Sequence, residues 1–184
     1  AVLGLLGRYT DSGQVKKWKR WEEETIAESR KKGTIAIVVY KLERRMVIYK
    51  KGEPFVTCNV GLGFNGLSDK AHAGDEATPE GRYYVTKKNA SSQFYKALLI
   101  NYPNDEDRRK YAEAKKKGRI PAYAGIGSLV EIHGGGQDSL TRGCISLDNK
   151  VIDEVFALAS VGTAVTIVGT VEDEHPIIKS VKDI

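Results

Sequence analysis

The 184-residue chain has few of the residues that build special scaffolds or hold metals: two cysteines, three histidines, one methionine and five prolines. Two cysteines, Cys58 and Cys144, are too few for a disulfide framework. Beyond His133 and Cys144, the remaining soft ligands are His72, His175 and Cys58, and none shows ligand-pair spacing, so neither a metal nor another cofactor is expected. No run approaches the roughly 20 apolar residues of a membrane span. Aromatics are 8% of the chain, and the basic stretches VKKWKR and AEAKKKGR offer no stacking platform, so nucleic acid is not an expected partner. Internal repeats and low-complexity linkers are also missing.

What is present is ordinary for a globular domain. Hydrophobic residues make up 41% and charged residues 29%, and net charge is +5. A chain of this length buries roughly 70% of its unfolded surface, enough for a core without staples. The start, AVLGLLGRYT, is apolar but lacks a basic leader. It reads as the mature end of a processed export product or as an arbitrary boundary.

Residues 14–32 read as a helix, with Val15, Trp18, Trp21 and Ile26 on one apolar stripe and Gly33 as the stop. The segment TIAIVVYKLERRMVIYKKGEPFVTCNVG reads as three strands joined by short turns, hence an antiparallel meander. GRYYVTKKN continues as a strand after a Thr-Pro-Glu-Gly turn; one of Tyr83 and Tyr84 is expected in the core and the other at a rim. Residues 104–118 form a capped helix with acids first and lysines last. GSLVEIH, residues 127–133, is a strand ending at His133. Residues 148–162 hold a third helix, capped by Asp148 or Asn149, with Val151, Ile152, Val155, Phe156 and Ala159 inward, and TAVTIVG is a closing strand. The tail after residue 170 gives no clear pattern. These elements make a mainly β (α+β) fold: a mixed sheet curled into a sandwich or barrel, with about three peripheral helices.

The chemistry concentrates in IHGGGQDSLTRGCISLDN. His133 ends an apolar strand, and Cys144 follows eleven positions later across a loop of four glycines and a serine. Two neighbouring strand ends can set an imidazole beside a thiol. The thiolate is the nucleophile, and a histidine lowers the thiol pKa or takes its proton. The imidazole needs an acceptor on its other nitrogen, and the Gly134 carbonyl is one nearby choice. Gly143 leaves room for amides to approach an oxyanion. The bland reading, a glycine-rich hairpin holding a structural histidine and a small buried cysteine, stays open on spacing alone. Cys58, in mid-strand, reads as core. Trp18 and Trp21 read as helix packing, and His72 as a loop residue that could face a groove.

The pattern IHGGG…SLTRGCISLDN resembles the signature of the L,D-transpeptidase catalytic domain family (YkuD or ErfK/YbiS/YcfS/YnhG). AIVVYKLERRMVIYKKGEPFVTCNVGLG is similar to that family's opening strands, and GDEATPEGRYYVTKKN to its Thr-Pro-x-Gly turn and strand. The stretch SQFYKALLINYPNDEDRRKYAEAKKKGRIP resembles an insert of the YafK-like Gram-negative subgroup. The likeness spans residues 34–170, leaving 1–33 as a helical extension and 171–184 as a tail.

The resemblance implies Cys144 as nucleophile, His133 as base, Gly134 as the orienting carbonyl and the amides of Gly143 and Cys144 as the oxyanion site. It places Thr141, Arg142, Ser139 and Thr78 at the substrate. Arg142 stands where the motif carries a second histidine, and the loop before Thr141 is shorter than is usual in the family. The implied activity is acyl transfer on peptidoglycan stem tetrapeptides through a cysteine thioester, in the periplasm or cell envelope, with an amine or an envelope lipoprotein as acceptor. Release by water, as an L,D-carboxypeptidase or a murein-lipoprotein hydrolase, is one alternative, and a catalytically silent wall-binding domain is another.

Overall fold

In the computed structural model, which describes residues 2–173 and 175–183, two helices open the chain: α1 (Val2–Thr10) and α2 (Ser12–Lys32). Asp11 caps α2 by accepting from the Gln14 N–H at 2.8 Å, and Gly33 ends it. Val15 and Trp18 are buried along α2, with Trp21 and Ile26 half-buried beside them, which is the stripe read from the sequence. The spacing gave no sign of α1, since Gly4 and Gly7 disfavour a helix. Tertiary packing overrides them: the Tyr9 ring lies 5.2 Å from Trp18.

The meander follows as β1 (Ile35–Tyr40), β2 (Arg45–Lys50) and β3 (Glu53–Asn59), and then the long β4 (Gly81–Ser92) and β5 (Tyr95–Ile100). The capped helix is α3 (Asp105–Lys116), whose Asn104 and Asp107 form a reciprocal capping box. Beyond it come β6 (Glu131–His133), β7 (Ile145–Ser146), α4 (Asn149–Leu158), β8 (Ala164–Val168) and α5 (Pro176–Lys182). The described residues therefore hold five helices rather than about three, because α1 and α5 lie in segments without a clear pattern. The strand β5 sits inside the stretch read as an insert. The strand expected over 127–133 is shorter, because Gly127 and Leu129 take positive φ values of 94° and 58° and leave the extended region.

All eight strands form one mixed sheet, in the order β3-β2-β1-β8-β4-β5-β6-β7. The β1–β8 and β6–β7 pairs are parallel, and the others are antiparallel. β1 is buried on both faces, which explains its unbroken run IAIVVY. Ile37 and Val39 join the inner core with Met46, Ile48, Leu98 and Ile132, and with Ile152 and Val155 of α4. Ala36, Val38 and Tyr40 join the outer core against Tyr9, Val15 and Trp18.

β4 makes the corner. Its first residues pair with β8 and its later ones with β5, across register shifts at Val85/Lys87 and Asn89/Ser92. Bulges of this kind bend a strand and raise its twist. The curl brings the chain just beyond β3 onto β7, where Gly61 and Ser146 exchange backbone hydrogen bonds of 2.9 Å. Gly63 bridges to Thr141 beside them. A β-carbon on Gly61 would sit 2.3 Å from the Ser139 carbonyl and the Ser146 hydroxyl oxygen, so the seam closes only over glycine. Cys144 lies on this seam.

Candidate active site

β6 and β7 run in parallel, with Ile132 opposite Ile145 and His133 opposite Ser146. Ile132 and Ile145 point into the inner core. By strand alternation the next residues point the other way, so Glu131 and His133 share a face with Cys144 and Ser146. This register sets His133 opposite Ser146 and leaves Cys144 on the same face one step along, beside Glu131.

His133 is buried and doubly held. Its Nδ1 lies 2.6 Å from the Gly134 carbonyl oxygen, and its ring stacks on Phe94 with centroids 4.4 Å apart and planes 21° apart. An Nδ1–H donated to that carbonyl leaves Nε2 as the basic nitrogen. Phe94 sits at the turn between β4 and β5, so the hairpin folds back over the histidine. The start of α4 holds the loop on the other side. The Asp148 carboxylate accepts from the Gln137 N–H at 2.8 Å, and the Asn149 side-chain oxygen accepts from the Gly135 N–H at 3.0 Å. Asp148 occupies the N-cap position of α4 but makes no side-chain cap there, since its carboxylate serves the loop.

The Cys144 thiol donates to the Leu129 carbonyl at 3.6 Å. Burial pushes it above its ordinary value of 9.0; a hydrogen bond from the Glu131 backbone and the charge of Lys70 act the other way, and the Glu131 carboxylate adds to the rise. A thiol raised in this way calls for a neighbouring base if it is to act as a nucleophile. Glu131 itself is raised by burial and opposed by nearby His133.

The other expected site residues separate into groups. Thr141 turns inward: its hydroxyl donates to the Cys144 carbonyl at 2.6 Å and accepts the Gly143 N–H at 3.1 Å. That contact takes the Gly143 amide out of the expected oxyanion pair. The Cys144 N–H has no acceptor among the described residues and remains a free backbone donor beside the thiol. Thr78 packs inside the loop that carries it. It is buried, its hydroxyl accepts the Gly63 N–H at 3.0 Å, and its carbonyl accepts from Lys41 at 2.6 Å. Ser139 donates to the Gly135 carbonyl at 3.1 Å and shapes the loop. Arg142 is exposed, at the loop tip beside the nucleophile. Cys58 is half-buried against the inner core, and burial raises its thiol to about 11. Tyr83 is buried and donates to Asp107, whereas Tyr84 is exposed.

Three contributors were missed. Phe94 and Lys70 come from distant segments and carry no local signal. Glu131 was legible, two residues before His133 on the same strand face. A cleft of about 590 Å³, lined by Tyr84, Leu99, Asn101, Arg108 and Leu129, reaches Leu129, whose carbonyl accepts from the Cys144 thiol, but neither Cys144 nor His133 lines it. A larger cavity, about 710 Å³ between α2, β4 and β8, contains neither Cys144 nor His133. No group of three or more histidine, cysteine or carboxylate side chains among the described residues could hold a metal.

The sequence and the fold match an established class. Residues 34–167 match the family model of the YkuD L,D-transpeptidase catalytic domain, and the chain belongs to that family. It is 29% identical over 162 residues to the Escherichia coli K12 protein named "Putative L,D-transpeptidase YafK", covering 85% of this chain and 56% of that protein. The chain thus spans just over half the length of that relative. Among solved structures it resembles the helical cell shape determining protein Pgp2 of Campylobacter jejuni, with a TM-score of 0.55 and 22% identity over 74% of this chain and 48% of the other. Bd1075 of Bdellovibrio bacteriovorus gives a TM-score of 0.55 and 21% identity over 82% and 54%. At these identities the structural likeness concerns the fold.

Proposed function

We propose that this domain performs acyl transfer on peptidoglycan stem peptides, at the carbonyl that joins an L-centre to a D-centre in a donor tetrapeptide. In this reading His133 Nε2 takes the Cys144 proton as Sγ attacks. The oxyanion forms beside the Cys144 N–H. The C–N bond then breaks, the imidazolium passes its proton to the departing D-amino acid, and a thioester remains on Cys144. An amine acceptor restores an amide and regenerates the thiol; water gives a carboxylate instead. No metal or organic cofactor enters these steps. Such a substrate sets the reaction in the cell envelope, and no described helix is long and apolar enough to cross a membrane.

The observation that carries this reading is the 2.6 Å contact between His133 Nδ1 and the Gly134 carbonyl, which frees Nε2 on the face shared with Cys144. The raised thiol supports it too, since a protonated cysteine is idle without such a base. The test is product analysis with a disaccharide-tetrapeptide donor, with and without an amine acceptor. Both routes release the D-amino acid; transfer adds an acceptor-linked product, and hydrolysis leaves the disaccharide-tripeptide. Cys144→Ala yields neither. Donor turnover at the wild-type rate in that variant contradicts the reading, and wild-type protein that binds wall fragments without turning them over marks a silent binding domain.

A further inference from the structure

The Lys70 ammonium is held inside the wall of the site. Its side chain is 6% exposed, and Nζ donates to the Asp75 carboxylate at 2.9 Å and to the His72 carbonyl at 3.2 Å. Its third N–H has no acceptor among the described residues. The stem runs past Gly127, where a β-carbon would sit 3.4 Å from Lys70 Cε. The head ends next to the nucleophile loop: a β-carbon on Gly143 would lie 3.9 Å from Nζ. Asp75 is fixed in turn by the N–H groups of Ala71, His72 and Ala77 at 2.7, 3.0 and 3.1 Å, so the ammonium has a rigid seat.

We propose that Lys70 is a positioned cation that stabilises negative charge at Cys144, first on the thiolate and then on the oxyanion. Three features support it. Thr141 has taken the Gly143 N–H, so of the two amides expected at the oxyanion that of Cys144 is the one without an acceptor among the described residues. The charged groups that act on the thiol are Glu131 from β6 and Lys70 from the loop before β4; His133 shares its strand face, Arg142 precedes it by two residues, and Asp75 pairs with Lys70. Glu131 opposes a thiolate, Arg142 is exposed, and His133 is the proposed acceptor of the thiol proton. Lys70 is the buried cation of this set. Finally, a buried ion pair adds little to stability over apolar packing, whereas a charge fixed at low dielectric acts strongly on a neighbouring anion. The oxyanion half of the proposal rests on the acyl-transfer reading; the thiolate half does not.

The test compares wild type, Lys70→Met and Lys70→Arg in the full chain. The rate of iodoacetamide alkylation at Cys144 is followed against pH, with peptide mass mapping to separate it from Cys58, and carbapenem acylation is timed in parallel. Lys70→Met should move the alkylation midpoint upward by about one pH unit and slow acylation at least about tenfold, one unit being a factor of ten. Lys70→Arg should restore most of both. Should Lys70→Met fail to fold, Lys70→Gln, which keeps a donor for Asp75, carries the same readout. An unchanged midpoint in a folded, uncharged variant overturns the proposal. A shifted midpoint in a protein whose wild type takes no carbapenem upholds the thiolate role of Lys70 and counts against the acyl-transfer reading.

Discussion

Gly143 and His133 place two separate demands on the site. Gly143 has a φ of 136°, and a β-carbon there would lie 2.7 Å from the Ala77 carbonyl oxygen. Gly143→Ala should therefore lower stability by about 1–3 kcal/mol, the usual scale of such strain, and cut acyl-enzyme formation more than the melting temperature alone explains. Parallel melts and adduct rates check this. For His133→Gln the fold should survive, and the adduct should form at least about a hundredfold more slowly, the contribution typical of a general base. His133 and Cys144 were legible because histidine and cysteine are so rare here and because glycines surround them. The roles of Thr141 and Thr78 were not, because a hydroxyl that serves the loop and one that serves a substrate look the same in a sequence. Phe94 and Lys70 stayed hidden for another reason: they reach the site only once β4, β5 and the loop before β4 have folded around it.

Among the elements, the loop between β3 and β4 has the clearest pH response. Burial alone would raise Asp75, but three backbone N–H donors and Lys70 outweigh it and hold the carboxyl below its ordinary 3.8. A depressed carboxylate contributes stability that is fully present above the unfolded value and is lost as pH falls through the folded one. Amide hydrogen exchange over residues 70–78 should therefore accelerate below the ordinary carboxylate range while the β1–β2 ladder stays protected. Equal acceleration in both regions would argue against a local seat for Lys70. The meander, α2, α3 and α4 were legible from period and caps, which act within a few residues. β5 was hidden inside a stretch of unremarkable spacing, and the short β6 and β7 gain their identity from pairing across the seam, which is not local information.

Across the whole molecule, residues 2–32 are packed onto the sheet rather than appended to it. Trp18 is fully buried, and a β-carbon on Gly169 would meet its ring at 2.4 Å. From the same region Arg8 pairs with Glu80, which also takes Lys41 Nζ at 3.0 Å beneath the Thr-Pro-Glu-Gly turn. Trp18→Ala should cost about 3–5 kcal/mol, read as a lower denaturant midpoint, with a measurable loss of acyl-enzyme as the turn loosens. A loss under about 1 kcal/mol would mean that the outer core is peripheral to stability. The curled, mainly β architecture followed from the sequence because short turns force antiparallel neighbours. The closing of its edges over Gly61 did not, since that depends on the summed twist of eight strands.

Cys144 is proposed as an acyl acceptor activated by His133. That role is tested most directly by the intact mass of the protein after incubation with a carbapenem, with Cys144→Ala alongside. One stoichiometric adduct is expected on the wild type, mapped to Cys144, and none on the variant. An unmodified wild type, or an equal adduct on both proteins, would contradict it.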